Sequence, residues 1–246
     1  MRRRPAIAAG AILCCAALAS GPAASSIVTT RAEFVGCPTD GQVGFSPAPS
    51  AGPRPLLPHA GRLVLAYYGS HDLRVLAPRG WHCIGLQGSN GLRLIVTPEP
   101  RTAAEFRNGT GILAGPAVEI SHAYGGTSGR SEVAAAVARY FPAYRRYVRR
   151  VERMQLGEGP FATAPWPRDR VERAGATRIN FVTPAGAPGE GTHWLFAPGS
   201  EITGTMLLLP GDEPDLITVR VRLPAEQARS AWFIAGESAV LAQQGR

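Results

Sequence analysis

Glycine and proline together make up about a fifth of this 246-residue chain, 29 and 22 residues respectively. That density argues against an architecture of long helices, because glycine adds to the entropic cost of ordering and proline removes an amide donor. The composition points to many short elements joined by turns, which argues against a helical bundle and a coiled coil. The glycines have no triplet period, so collagen is excluded as well. It is nonetheless a folding sequence, with 45% hydrophobic and 18% charged residues, unlike the composition of disordered segments.

All 26 basic residues are arginine, and the formal charge is +8. Arginine without lysine, beside abundant Ala, Gly and Pro, is what GC-rich codon usage produces, so the basic balance needs no anionic partner to explain it. Residues 1–19 have the three parts of a secretory signal: basic Met1 to Arg4, an apolar run from Ala6 to Leu18, and the small-residue pattern Ala17-Leu18-Ala19, which predicts a cut after Ala19. Losing Arg2, Arg3 and Arg4 leaves 23 arginines against 18 acidic residues, a charge of +5. The apolar run of 13 residues is short of the roughly 20 that a spanning helix needs, and no later run approaches it. The expected mature protein is soluble, without a transmembrane segment, and periplasmic or secreted. Lipidation at Cys14 or Cys15 is disfavoured by Leu13, which stands where a lipobox needs a small residue.

Two cysteines then remain, Cys37 and Cys83, and an oxidising compartment predicts one structural disulfide between them. The loop it closes has 45 intervening residues, a stabilisation on the order of 4 kcal/mol on the chain-entropy model. The rival reading makes Cys83 a nucleophile activated by His82. That reading needs Cys37 free, and neighbouring strand residues point to opposite faces.

Residues 20–58 read as a flexible, Pro/Gly-rich segment tethered by that disulfide, and residues 59–246 as a single α+β domain. Within the domain, Arg62 to Tyr68 reads as a short helix or strand. Strands are predicted on either side of Pro78-Arg-Gly80 and, after a Gly88-Ser-Asn-Gly91 turn, over Leu92 to Thr97 and Ala117 to Ser121. Ser131 is the expected N-cap of a helix whose apolar stripe runs Val133, Val137, Tyr140, Tyr144, Val148, Val151, with Pro142 either kinking it or opening a second helix. Gly157 to Arg173 reads as a connection. Arg178 to Thr183, Thr192 to Phe196, Thr203 to Leu209 and Asp215 to Leu223 read as strands, and a helix from Ala225 to Gln244 closes the chain. Ala228, Ala231, Trp232, Ala235, Ala239 and Val240 form that helix's expected buried face. The order implies an antiparallel sheet with helices packed largely on one face.

The phrase Val75-Leu-Ala-Pro-Arg-Gly-Trp81, a strand entering a Pro-x-Gly-Trp turn, resembles the PsbP/Mog1-type α/β sandwich found in many small exported proteins. The stretches Ala77 to Gly91 and Gly115 to Arg130 are similar to exported bacterial proteins of no assigned function. The resemblance implies a fold and a compartment.

Among candidate sites, the loop Gly125-Gly-Thr-Ser-Gly-Arg-Ser131 before a helix has the parts of an anion site: backbone amides, Thr127 and Ser128 hydroxyls, and Arg130. It is not a P-loop, since Tyr124 holds the first-glycine position and Arg130 the lysine position. It is not a Gly-x-Ser-x-Gly elbow either, which leaves Ser128 a weak nucleophile candidate. His122 lies near the loop and could meet Ser128 with Glu119 or Asp169 as the acid. His59, His71, His82, His122 and His193 show no ligand spacing, so no metal or other cofactor is called for. Arg139 to Arg153, with Tyr140, Tyr144 and Tyr147, offers cations and rings for a polyanion, Arg146 and Arg150 among them, without any nucleic-acid motif. Asn108-Gly-Thr110 matches a glycosylation sequon to which no role is given. The expectation is a non-catalytic exported domain that binds a protein or envelope component. The alternatives are a small hydrolase at the Gly125–Ser131 loop and a binder of anionic envelope polymer through Gly126, Thr127, Ser128, Arg130, Arg146 and Arg150.

Overall fold

The computed structural model describes residues 29–42, 44–58, 63–154, 160–192 and 195–244. The expected leader and its expected cleavage point, Cys14, Cys15, His59 and His193 lie outside them. In chain order the elements are β1 (Thr29–Arg31), β2 (Glu33–Gly36), β3 (Thr39–Gly41), β4 (Leu56–Pro58), β5 (Leu65–Gly69), β6 (Arg74–Pro78), β7 (His82–Gly88), β8 (Gly91–Thr97), α1 (Ala103–Arg107), β9 (Ala117–Ala123), α2 (Arg130–Tyr140), α3 (Arg145–Arg153), β10 (Arg170–Arg173), β11 (Arg178–Thr183), β12 (Ile202–Leu209), β13 (Asp215–Arg222) and α4 (Ala231–Gln244).

One main sheet carries the molecule, with strand order β10-β11-β12-β13-β9-β8-β7-β3. Its pairings are antiparallel except the last, where β3 runs parallel to β7. Strand alternation sorts its side chains. Leu92, Leu94 and Val96 of β8, Val118 and Ile120 of β9, and Ile217, Val219 and Val221 of β13 face one way. They are covered there by the small sheet β2-β5-β6, through Leu76 and Tyr68, and by Ile234, Ala235 and Ala239 of α4. On the other face, Ile179, Phe181, Met206, Leu208 and Leu216 pack beneath α2 and α3. A smaller group around Ile95, Ala103, Leu113 and Phe196 sits at the α1 end.

The α+β class stands, with a correction of packing: helices cover both faces of the main sheet. Period-2 alternation in β8 and β13 marks strands with two faces but not which face a helix covers. A second correction concerns the expected tether. From Thr29 to Pro58 it carries four strands: β1 and β4 form a two-stranded ribbon, β2 joins the small sheet beside β5, and β3 forms one edge of the main sheet. These strands are three or four residues long and find their partners far along the chain, so local periodicity could not disclose them. Cys37 is fully buried and disulfide-bonded to Cys83.

Pro142 opens a one-turn 3-10 helix, Pro142–Tyr144, that leads into α3, so the stripe is two helices. The first begins at Arg130 with Gly129 as N-cap and no side-chain cap, not at Ser131. The described residues of the stretch 192–196 form no strand: a 3-10 turn spans Glu190–Thr192, and Phe196 makes an isolated bridge to Leu113. The Gly157 to Arg173 connection ends in β10. Ala225–Ser230 is 3-10 rather than α, and Trp232 is 44% exposed, with Ile234 taking its place in the core. The short α1, unanticipated, is held by a capping box between Thr102 and Glu105. No helix among the described residues is long and apolar enough to cross a membrane.

Candidate ligand cleft

The face of the main sheet beneath α2 is not wholly apolar. Between its two apolar groups, alternation along β8, β9 and β13 turns Arg93, Glu119 and Arg220 to the same side. Arg93 Nη1 lies 2.6 Å from Glu119 Oε1, and Arg220 Nη1 lies 3.1 Å from Glu119 Oε2, so one carboxylate holds two guanidiniums. Arg93 also meets Glu132 of α2 at 3.2 Å, and Arg220 lies 3.7 Å from Glu190 Oε1 while its Nε donates to the Glu190 carbonyl. Tyr140 of α2 donates to Glu190 Oε2 at 3.2 Å. Asp169 closes the network, accepting from the Glu190 amide and the Thr183 hydroxyl at 2.8 Å each.

The carboxyls are tuned in opposite directions. Burial works to raise Glu119, but Arg220 and Arg93 together hold it below the usual range. For Glu190 burial prevails over Arg220, and its pKa is raised. Asp169 is raised by burial too, despite the hydrogen bonds it accepts from Glu190 and Thr183. Arg222, next on the same face of β13, has a different setting: it donates to the carbonyls of Leu113, Ala114 and Ala197 and lies 5.3 Å from the centre of the Phe196 ring. It ties together the two loops that carry Ile112 and Leu195.

Those loops form one wall of a cleft of about 470 Å³. Asp40 and Gly41 of β3, the β7–β8 hairpin, Phe106 and Arg107 of α1, and Ser121, His122 and Ala123 of β9 line it too, and the network contributes Arg93 and Glu132. Arg107 and Asp40 form a 2.9 Å ion pair between α1 and β3. β3 is held there by its pairing with β7 and by the Cys37–Cys83 disulfide beside it, so the bridge positions a wall of the cleft. Beyond Glu132 a second pocket of about 80 Å³ is lined by Arg139, Trp166, Glu190 and Arg220, with Arg139 stacked 4.9 Å over Trp166.

Of the residues singled out in the sequence, His122 also borders the cleft, and His122 and Ser128 are each engaged with other partners. His122 turns to the opposite face of β9 from Glu119; its Nε2 lies 3.0 Å from Asp215 Oδ2 and its ring stands edge-on to Tyr124. Ser128 Oγ meets Ser89 Oγ at 2.8 Å. Asp169 and Glu119 belong to the buried network, so the structure does not gather Ser128, His122 and either acid into a triad. In the glycine loop, Gly125 N donates to Asp215, while Arg130 turns back on the carbonyls of Thr127 and Gly126 and leaves Met154 against its other nitrogen. A Cβ at Gly125 would lie 2.0 Å from the Pro214 carbonyl oxygen, and one at Gly129 2.2 Å from that of Asn90, so close packing accounts for these glycines. Glu213 stands by Gly126, which sets two carboxylates against an anion at this loop. Arg146 is exposed on α3, and Arg150 donates to the Asp212 carbonyl.

Sequence reading missed Arg93, Glu132, Glu190 and Arg220. The available signal was Arg220 and Arg222 alternating with valines in a strand otherwise apolar. Among the described residues, no group of acidic, His or Cys side chains could hold a metal ion. Compared with family models, with curated proteins and with solved structures, the chain matches none.

Proposed function

We propose that this protein is a secreted or periplasmic, non-catalytic domain that binds an envelope component in the cleft between β3, the β7–β8 hairpin, β9 and α1. The observation that carries the reading is a cavity of about 470 Å³, within the roughly 300–1,000 Å³ of small-molecule sites, whose four charged lining residues are already in two ion pairs. Groups so neutralised and braced hold a ligand's shape better than they attack it. The hydrolase alternative is weakened by the separate engagements of Ser128 and His122. The secretory pattern of residues 1–19 and the disulfide support export. A PsbP/Mog1-like relationship is supported by β6 entering the Pro78-Arg-Gly80-Trp81 turn, with Gly80 at φ 88°, and by the layered sheet.

The test is native mass spectrometry of protein expressed with its leader and recovered without denaturation. The expected result is a chain beginning at Ser20 and carrying a non-covalent mass, absent from a Leu86→Trp variant that fills the cleft. A wild-type protein that carries nothing, even after incubation with envelope extract, would overturn the reading.

The solvent face of α3 favours a second reading. Arg145, Arg146, Arg149 and Arg153 are exposed there and pair with no other described residue. Such a face fits an anionic envelope polymer, with affinity falling steeply as salt rises. Charge reversal of Arg146 and Arg149 without loss of binding to a polyphosphate column rules it out.

A further inference from the structure

The cleft's own chemistry narrows what it takes. Both lining cations are spoken for: Arg93 is shared between Glu119 and Glu132, and Arg107 is paired with Asp40. An anionic ligand would have to compete with those carboxylates, and a cationic one with those guanidiniums. In either case the ligand's charge also meets the like charge of the pair's other member, and drawing a member out of the largely buried Arg93–Glu132 pair leaves the other without compensation. An uncharged ligand leaves both pairs intact. The remaining lining is mostly apolar, with Leu86, Phe106, Ile112 and Leu195 prominent.

One buried polar group in the wall is unanswered. Ser121 is 2% exposed, and its Oγ has no hydrogen-bond partner among the described residues. Alternation along β9 puts it on the same face as Glu119, and its cross-strand neighbour is Arg93. A buried hydroxyl left unpaired destabilises a fold, and such groups in a native structure call for an explanation. A ligand that completes it supplies one.

We infer that the cleft binds an uncharged amphipathic small molecule, its apolar body against Leu86, Ile112 and Leu195 and its one hydrogen-bonding group at Ser121. The inference rests on the reading that the cleft is the binding site, and names its ligand class.

Three probes sharing one tail separate the two claims: decanol, decanoate and decylammonium, titrated calorimetrically into the mature oxidised protein near neutral pH. Decanol is expected to bind one site about tenfold or more tighter than either charged analogue. Ile112→Asp changes an exposed side chain, so the fold is kept, and should weaken decanol binding about tenfold. Ser121→Ala should leave the melting temperature equal or higher, since it removes an unpaired hydroxyl, while decanol affinity falls about fivefold. A charged probe bound as tightly as decanol, yet still sensitive to Ile112→Asp, overturns the ligand class and keeps the cleft. Undiminished decanol affinity in Ser121→Ala overturns the role of that hydroxyl. Binding insensitive to Ile112→Asp, or absent for all three probes, overturns both claims.

Discussion

Arg220 is 1% exposed and stands between two carboxylates, of Glu119 and Glu190, both buried. Removing one member of such a network leaves the others without compensation, so Arg220→Met should cost about 3–5 kcal/mol in denaturant unfolding. Adding Glu119→Leu should recover part of that loss; a double variant no more stable than the single would mean that charge is not what holds the site. The opposite tuning of the two glutamates has a pH signature. Glu190 keeps its proton better folded than unfolded, so from its ordinary 4.5 up to its raised folded value stability falls as pH rises. Glu119 behaves the other way: its stabilisation is present above the ordinary value and is lost as pH falls through the lowered one. Glu190→Gln should therefore gain on the wild type as pH is raised through the first window, in melting temperatures followed from about pH 4 to 8. Glu119 and Asp169 entered the sequence reading only as acids that could join His122 and Ser128 in space. A strand reading such as Val-Arg-Val-Arg shows two faces, and the ordinary inference puts the arginines in water. Here the arginine face is covered by α2 and by the 3-10 turn at Glu190, which only the assembled sheet makes plain.

At the scale of elements, legibility followed length and pattern. β11, β12 and β13 carry enough apolar residues, set off by Pro/Gly turns, to be read within a residue or so of their ends, and the valine and tyrosine stripe across Pro142 marked α2 and α3. β1 to β4 were beyond reach, since a three-residue strand has no period of its own and exists because a distant partner offers hydrogen bonds. β3 is the telling case, with three residues paired to β7 and a disulfide immediately before it. Replacing Cys37 and Cys83 by serine should lower stability by up to about 4 kcal/mol. The loss of order should be local: hydrogen exchange should quicken in residues 39–42 and 85–88 well before it changes in β12 and β13. Uniform loosening of the sheet would deny β3 its special dependence on the bridge.

Over the whole molecule, glycine and proline density correctly led to many short elements and an α+β class. It could not assign helices to faces, because that depends on which side of a two-faced sheet each crossover takes. The main sheet ends in two rims, and an open rim is a row of unpaired amides and carbonyls ready to accept a strand from another copy, although at the β3 rim Thr39 already exchanges both of its backbone hydrogen bonds with Ser46. At one rim, β10 reads Arg-Val-Glu-Arg and is largely exposed, with Arg170 paired to Glu201. At the other, β3 is short, runs parallel to β7 and is fastened by the disulfide. Charge at one rim and brevity at the other blunt fibre growth from both ends. Replacing Arg170, Glu172 and Arg173 by threonine should make light scattering rise on incubation at a concentration where the wild type stays clear. Seen this way, the charged β10 is a guard on colloidal behaviour, keeping a sheet of this width from templating its own assembly.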